Sequence, residues 1–146
     1  MSDEELTVFY AWQSDSPSRD NRNFIESALE QAFKNLHKSG KVQSSPRLDK
    51  DTKDIPGIPD IANTILDKIR VADVFVADVS YVGKCPPQEG ESKHLPNPNV
   101  MLELGYALLA WKIRKPSPER CDRSLITFGG STVIRGHLIT QNLEIG

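Results

Sequence analysis

The chain has 146 residues, the size of one domain that can bury a substantial core. Hydrophobic residues make up 38% and charged residues 26%, as in globular proteins, and no apolar run approaches the roughly 20 residues that cross a bilayer. The net charge is -2 and no basic stretch is present, which argues against nucleic acid or a membrane surface as the main partner.

The N-terminus and the cysteines predict a cytoplasmic protein. Residues 1–5 are acidic and polar, unlike a signal peptide. Cys85 and Cys121 lie in polar surroundings without a CxxC spacing, so we expect free thiols rather than a disulfide or a zinc site.

The first third of the chain predicts a strand, a helix and a second strand. Residues 6–11 are almost continuously apolar, which is typical of a central strand buried on both faces. After polar turn residues, apolar side chains recur at helical spacing from about Asn21 to Lys38. Residues 42–48 predict a weaker strand near the sheet edge, because Pro46 cannot donate a ladder hydrogen bond.

The middle of the chain repeats this alternation. A charged loop leads into a helix predicted from about Pro59 to Arg70. The clearest strand follows at Val74 to Val79, which is apolar except for Asp78 near its end. Residues 80–96 are rich in proline, glycine and charge, and predict a long loop of the kind that often forms a lid or binds a ligand.

The next helix has the best-marked start in the chain. Asn97 is suited to cap it and Pro98 to occupy its first position, and the helix is predicted to end near Trp111. Because it is apolar nearly all round, we expect it to be buried. Its one carboxylate, Glu103, therefore indicates either a satisfied structural contact or a functional site.

The order of elements predicts the fold. A further strand is expected at residues 124–128, while residues 129–146 are ambiguous, with strand character at 132–134 and 137–140. Alternating strands and helices predict a three-layer α/β sandwich with a mainly parallel sheet of four or five strands, formed by residues 1–146 as one domain. The sequence leaves open whether this domain belongs to a longer protein.

Parallel α/β sheets bind ligands beyond the carboxyl ends of their strands, where the strand order reverses. This rule selects four segments that we expect at one edge of the sheet. They are residues 12–15, residues 49–54, residues 78–80 and the first half of the helix that begins after Asn97.

On that last helix, Asn99, Glu103 and Tyr106 are spaced to share one face, which begins at the positive end of the helix. Trp12 is placed to reach the sheet edge and stack on a planar ligand. A structural explanation exists for each acid: Glu103 could bind a loop N–H or an arginine, and Asp78 could cap a loop. Asp73, at the opposite end of its strand, is predicted to be a structural cap.

Missing motifs narrow the chemistry. The chain has no GxGxxG, GxxxxGK[ST] or GxSxG motif, and its three histidines show no metal-ligand spacing, so no metal site is predicted. Carboxylate chemistry remains, such as the attack on, or stabilisation of, a sugar cation during cleavage of a glycosidic bond.

Four stretches resemble bacterial TIR-like domains, which are regarded as nucleotide-binding and occur in antiphage defence and signalling. They are residues 8–15 (VFYAWQSD), 21–25 (NRNFI), 72–80 (ADVFVADVS) and 97–107 (NPNVMLELGYA), and the resemblance covers about residues 6–111. The last two stretches are also similar to the nucleoside 2-deoxyribosyltransferases, in which a strand ending in Asp precedes a helix carrying a Glu-Leu-Gly-Tyr-Ala-like motif.

The resemblance implies a flavodoxin-like fold and a role for Glu103. In catalytic TIR domains the matching glutamate is required to cleave the N-glycosidic bond of NAD, which releases nicotinamide. In the transferases it is the nucleophile towards the sugar. A residue six positions earlier binds sugar in the transferases, and here it is Asn97 rather than Asp.

We therefore expect an NAD-processing N-glycosidase, hydrolase or cyclase, with NAD as substrate, no further cofactor and self-association through TIR–TIR contacts. Glu103 is the expected catalytic residue. The expected substrate-binding residues are Trp12, Ser14, Asp15, Asp78, Asn97 and Asn99. Two alternatives stay open: a nucleotide-binding or assembly module without turnover, and base exchange on 2′-deoxyribonucleosides.

Overall fold

The computed structural model of the chain describes residues 5–50, 61–87, 90–113, 124–129 and 132–136. Residues 51–54, Cys121, His137 and the strand predicted at 137–140 lie outside these ranges. The elements in chain order are β1 (Thr7–Ala11), α1 (Arg22–Lys38), β2 (Arg47–Asp49), α2 (Ile61–Val71), β3 (Val74–Asp78), β4 (Tyr81–Cys85), β5 (Lys93–Pro96), α3 (Pro98–Ile113), β6 (Ser124–Gly129) and β7 (Thr132–Gly136).

The main sheet has the strand order β2-β1-β3-β6-β7. β1 pairs in parallel with β2 and β3, β3 pairs in parallel with β6, and β7 runs antiparallel to β6. The predicted α/β class is thus confirmed, and this order is compatible with a flavodoxin-like fold. The chain moves one way from β1 to β2 and the other way to β3, so the order reverses between β1 and β3.

Helices cover both faces of the sheet because β1 and β3 are apolar on both faces. On one face, α1 packs against β1 and β3 through a cluster of buried residues: Val8, Tyr10, Ile25, Leu29, Phe33 and Val76. On the other face, α2 and α3 pack around Phe9, Ala11, Ile69, Ala72, Phe75, Ala77, Val100 and Ala107. The Phe9 and Phe75 rings lie opposite each other in register and stack with centroids 5.9 Å apart.

β2 is shorter and begins later than the sequence pattern predicts. It starts at Arg47, directly after Pro46, and lies at the edge of the sheet as expected. Proline has no N–H to donate, so the ladder with β1 begins only after it.

The segment between β3 and α3 is not the loop that its composition predicts. β4 and β5 pair as a separate antiparallel hairpin, with Lys84 opposite His94. The Tyr81 and His94 rings stack across it with centroids 4.9 Å apart. The hairpin is mostly exposed, and so it lacks the buried apolar pattern by which a strand is recognised in sequence.

α3 is buried on one face only, so the prediction of a buried helix is wrong for its opposite face. Val100 and Ala107 are buried against the sheet, but Leu102 is 70% exposed and Leu109 57% exposed. One face of α3 packs on α2 and the sheet, and the opposite face meets solvent in the single chain. Within the described ranges, no helix combines the length and the apolar character that a membrane span requires.

Asp73 caps the amino end of β1 through a side-chain hydrogen bond, which is the structural role that its position predicts. Its Oδ2 accepts a hydrogen bond from the Thr7 N–H at 2.9 Å. Its own N–H donates to the Thr7 carbonyl, also at 2.9 Å.

Candidate functional site

The start of α3 is connected to the loop after β1 by one side chain. Asn97 Oδ1 accepts hydrogen bonds from the backbone N–H groups of Asn99 (2.9 Å) and Val100 (3.2 Å), which is the predicted N-cap. Asn97 Nδ2 donates to Asp15 Oδ2 at 2.6 Å. A single amide thus caps the helix and holds the β1 loop against it.

A cleft of about 210 Å³ opens beside this contact, at the carboxyl end of β1. We call it the first cleft. Its lining residues are Phe9, Tyr10, Ala11, Trp12, Gln13, Ser14, Ile65, Asn97, Asn99 and Glu103. Glu103 is partly buried there, one turn of α3 beyond the exposed Asn99. The cleft therefore joins the carboxylate, the indole of Trp12 and two amides.

The buried side chain of Gln13 stabilises the loop after β1. It is only 3% exposed, and its Oε1 accepts hydrogen bonds from the N–H groups of Asp15 (2.6 Å) and Ser16 (2.9 Å). Its Nε2 is buried and has no hydrogen-bond partner in the described part of the chain. A buried amide donor without a partner is uncommon and calls for an explanation.

A second cleft, of about 430 Å³, lies against the first. Its lining residues are Trp12, Gln13, Ser14, Asp15, Ser16, Pro17, Ser18 and Arg22. The Arg22 guanidinium carbon lies 3.9 Å from the centre of the Trp12 ring, which is cation–π geometry. Trp12 therefore lines both clefts and stacks on the cation.

Asp78 lies beneath the site and lines neither cleft. It is fully buried, and its carboxylate accepts hydrogen bonds from Asn21 Nδ2 (3.0 Å) and the Ser80 N–H (3.1 Å). These contacts tie the end of β3 to the start of α1. They match the structural explanation for Asp78, namely a loop cap.

Tyr10 adds a neutral polar group under the loop. Burial raises the pKa of its hydroxyl above the usual range, and the nearby charges of Asp78 and Glu26 raise it further, partly opposed by Arg22. The hydroxyl has no hydrogen-bond partner among the described residues. It therefore stays protonated at neutral pH.

The structure brings most of the predicted site residues together. Five of them line the first cleft, namely Trp12, Ser14, Asn97, Asn99 and Glu103, and Asp15 adjoins it through Asn97. Tyr106 instead packs against the hydrophobic core. Asp49, from the predicted segment after β2, forms an ion pair with Lys68 at 2.8 Å and lines neither cleft.

Two residues that line the clefts are not among the individually predicted site residues: Gln13, which lies inside the predicted segment 12–15, and Arg22. Gln13 occupies the turn directly after a buried strand, between two predicted site residues. Arg22 is the first residue of α1, on the face of that helix nearest the same turn. Their position at the carboxyl end of β1 is the signal that could have identified them.

No protein-family model matches the chain, and no curated protein matches it. Among solved structures, a 2-desoxiribosyltransferase from Leishmania mexicana matches with a TM-score of 0.44 and 22% sequence identity. The match covers 85% of this chain and 64% of that protein, so the chain spans less than two thirds of the length of the solved structure.

Proposed function

We propose that this chain is a TIR-like N-glycosidase that cleaves the bond between nicotinamide and ribose in NAD. The observation that carries the proposal is the position of Glu103, which lines one cleft together with Trp12, Asn97 and Asn99. A carboxylate, an aromatic ring and amides are the groups needed to stabilise a sugar cation, stack a base and bind ribose hydroxyls.

The proposed reaction breaks the bond between the ribose C1′ and the pyridinium nitrogen. The bonding electrons leave with nicotinamide, which becomes neutral, and positive charge develops on the sugar. The negative charge of Glu103 stabilises this oxocarbenium-like state. Water then bonds to C1′ and releases a proton, which yields ADP-ribose; attack by an adenine nitrogen instead yields the cyclic product.

The neighbouring residues have assigned roles in this proposal. Trp12 stacks on the base, while Asn97, Asn99, Ser14 and Asp15 bind ribose hydroxyls. Asp78 has an indirect role: it does not contact the substrate, but its hydrogen bonds with Asn21 and Ser80 hold the loops in position. A role in antiphage defence or signalling, and assembly through TIR–TIR contacts, belong to the same proposal.

The test is product analysis. The purified chain is incubated with NAD over a range of protein concentrations, because assembly is part of the proposal, and nicotinamide, ADP-ribose and cyclic ADP-ribose are separated chromatographically. Release of nicotinamide that rises more than in proportion to protein concentration supports the proposal. Saturable NAD binding without product at the highest concentration favours a binding or assembly module.

Base exchange on a 2′-deoxyribonucleoside is the second candidate, and one contact favours it. The transferases that the motif resembles place an acidic or amide side chain at the position of Asn97. Here Asn97 Nδ2 holds the Asp15 carboxylate at 2.6 Å, so the β1 loop supplies an acid beside that position. Incubating the chain with deoxyinosine and free adenine tests this candidate: deoxyadenosine appears only if the base is exchanged.

A further inference from the structure

Arg22 places a positive charge in the second cleft, and no acidic side chain in the described part of the chain forms an ion pair with it. Among the described residues its guanidinium forms no ion pair, its Nε is buried without a hydrogen-bond partner, and its stacking on Trp12 leaves the hydrogen-bonding edge uncommitted. A guanidinium held by its face in this way can offer its N–H groups to a planar or tetrahedral anion.

The carboxylates that share the electrostatic environment of Arg22 have other partners. Asp78 accepts hydrogen bonds from Asn21 and Ser80, and Glu26 forms an ion pair with Lys50. Both carboxylates, like Arg22, act on the nearby Tyr10 hydroxyl. Asp78, which is buried, and Glu26, which is partly exposed, therefore have partners of their own and form no ion pair with Arg22 within the described ranges.

Gln13 provides a second, independent observation in the same place. Its Nε2 is buried and unpartnered in the described ranges, while the residue is only 3% exposed and lines both clefts. A donor held in this way gains a partner when an acceptor enters. The two donors without partners, Gln13 Nε2 and Arg22 Nε, belong to residues that line the second cleft.

Asp15 also lines the second cleft, and its negative charge would repel an anion bound there. Its carboxylate already accepts a hydrogen bond from Asn97, and the residue is exposed to solvent, which screens its charge. Its position at the junction with the first cleft suits a ribose hydroxyl rather than a phosphate oxygen.

The two clefts are contiguous, so one ligand has room to extend across both. The first cleft, at about 210 Å³, is smaller than the roughly 300 Å³ at the low end for ligand sites. The second, at about 430 Å³, shares Trp12, Gln13 and Ser14 with it. A sugar that reaches Glu103 would therefore place its next chemical group, beyond Trp12, within reach of Arg22.

We propose that the second cleft is a phosphate subsite, in which Arg22 and Gln13 bind the phosphate next to the sugar that Glu103 acts on. The substrate class is then a phosphorylated nucleotide rather than a free nucleoside. This inference builds on the proposed N-glycosidase function and adds what that function does not specify, namely which residues recognise the phosphate.

Calorimetric titration of matched ligand pairs tests the subsite. The pairs are nicotinamide riboside against nicotinamide mononucleotide, and adenosine against ADP, with every titration in a Glu103→Gln background to prevent turnover. We expect each phosphorylated ligand to bind at least about 10-fold more tightly than its partner. Arg22→Gln should remove most of that difference, while Arg22→Lys, which keeps the positive charge, should retain part of it.

Arg19→Gln is the matched control, because Arg19 lies in the turn just before α1, its side chain is 91% exposed and it pairs with Asp20. It should leave the preference for phosphate unchanged, and thermal unfolding checks that each variant is folded. The subsite is disproved if neither phosphorylated ligand binds more tightly, or if Arg22→Gln weakens both members of a pair equally. A clear phosphate preference in a chain that releases no nicotinamide would refute the N-glycosidase and leave the subsite intact.

Discussion

The two edges of the sheet differ in whether their polar groups have hydrogen-bond partners among the described residues. At the amino edge, Asp73 and Thr7 exchange two hydrogen bonds, and both partners are satisfied. At and beyond the carboxyl end of β1, buried atoms of Tyr10, Gln13 and Arg22 have no partner within the described residues. Folding alone would favour satisfying them. Gln13 and Arg22 line the proposed phosphate subsite, and Tyr10 lines the first cleft.

The two acids at the carboxyl edge differ in burial and in their position relative to the clefts. Asp78 is fully buried and accepts two hydrogen bonds, whereas Glu103 is partly buried and lines an open cleft. The difference separates a carboxylate that organises the loops from the one that we propose meets substrate. The predictions below use substitutions on both edges to test that separation.

Replacing Asp78 should produce the largest loss of stability. Asp78→Ala leaves the Asn21 amide and the Ser80 N–H without their acceptor in a buried position, which should lower the free energy of unfolding by about 3 kcal/mol. Asp78→Asn keeps an acceptor oxygen and should lose less. Urea unfolding followed by tryptophan fluorescence measures both, and wild-type stability of Asp78→Ala would contradict the structural role.

A substitution at the amino edge should affect stability alone. Asp73→Ala removes the acceptor for the Thr7 N–H and should lower the free energy of unfolding by about 1–2 kcal/mol. Its affinity for NAD should equal that of the wild type, because Asp73 lies at the far end of β3 from both clefts. A loss of affinity at this position, measured by calorimetry, would remove the contrast between the two edges.

Asn97 should separate helix capping from binding. Asn97→Ala loses the cap and the contact with Asp15, so stability should fall by about 1 kcal/mol and NAD affinity should also fall. Asn97→Ser still caps the helix but is too short to hold Asp15 in the same way. It should recover most of the stability and little of the affinity. Parallel recovery of both quantities would show that the Asp15 contact is unimportant.

The cleft that holds the candidate residues could be located from sequence, because its determinants are local and topological. Asn97 and Pro98 define the start of α3, and the alternation of strands and helices places that start beside the end of β1. The convergence of Trp12, Asn99 and Glu103 follows from these two facts. No knowledge of side-chain packing was required.

The features that the sequence did not predict depend on tertiary packing. The apolar circumference of α3 predicts burial, but only packing decides that Leu102 and Leu109 face outward. The β4–β5 hairpin is exposed and short, and is held by cross-strand pairing such as Tyr81 on His94. Arg22 becomes part of the site only when α1 brings it over Trp12, a contact that residue spacing does not reveal.

The most direct test of the central claim compares two glutamates. Glu103→Gln removes the carboxylate from the first cleft with almost no change in shape, and Glu30→Gln makes the same change at an exposed position on α1. Nicotinamide release from NAD should fall at least about 100-fold in Glu103→Gln and stay unchanged in Glu30→Gln, while both variants unfold like the wild type. Wild-type turnover by folded Glu103→Gln would contradict the assignment of this carboxylate to catalysis.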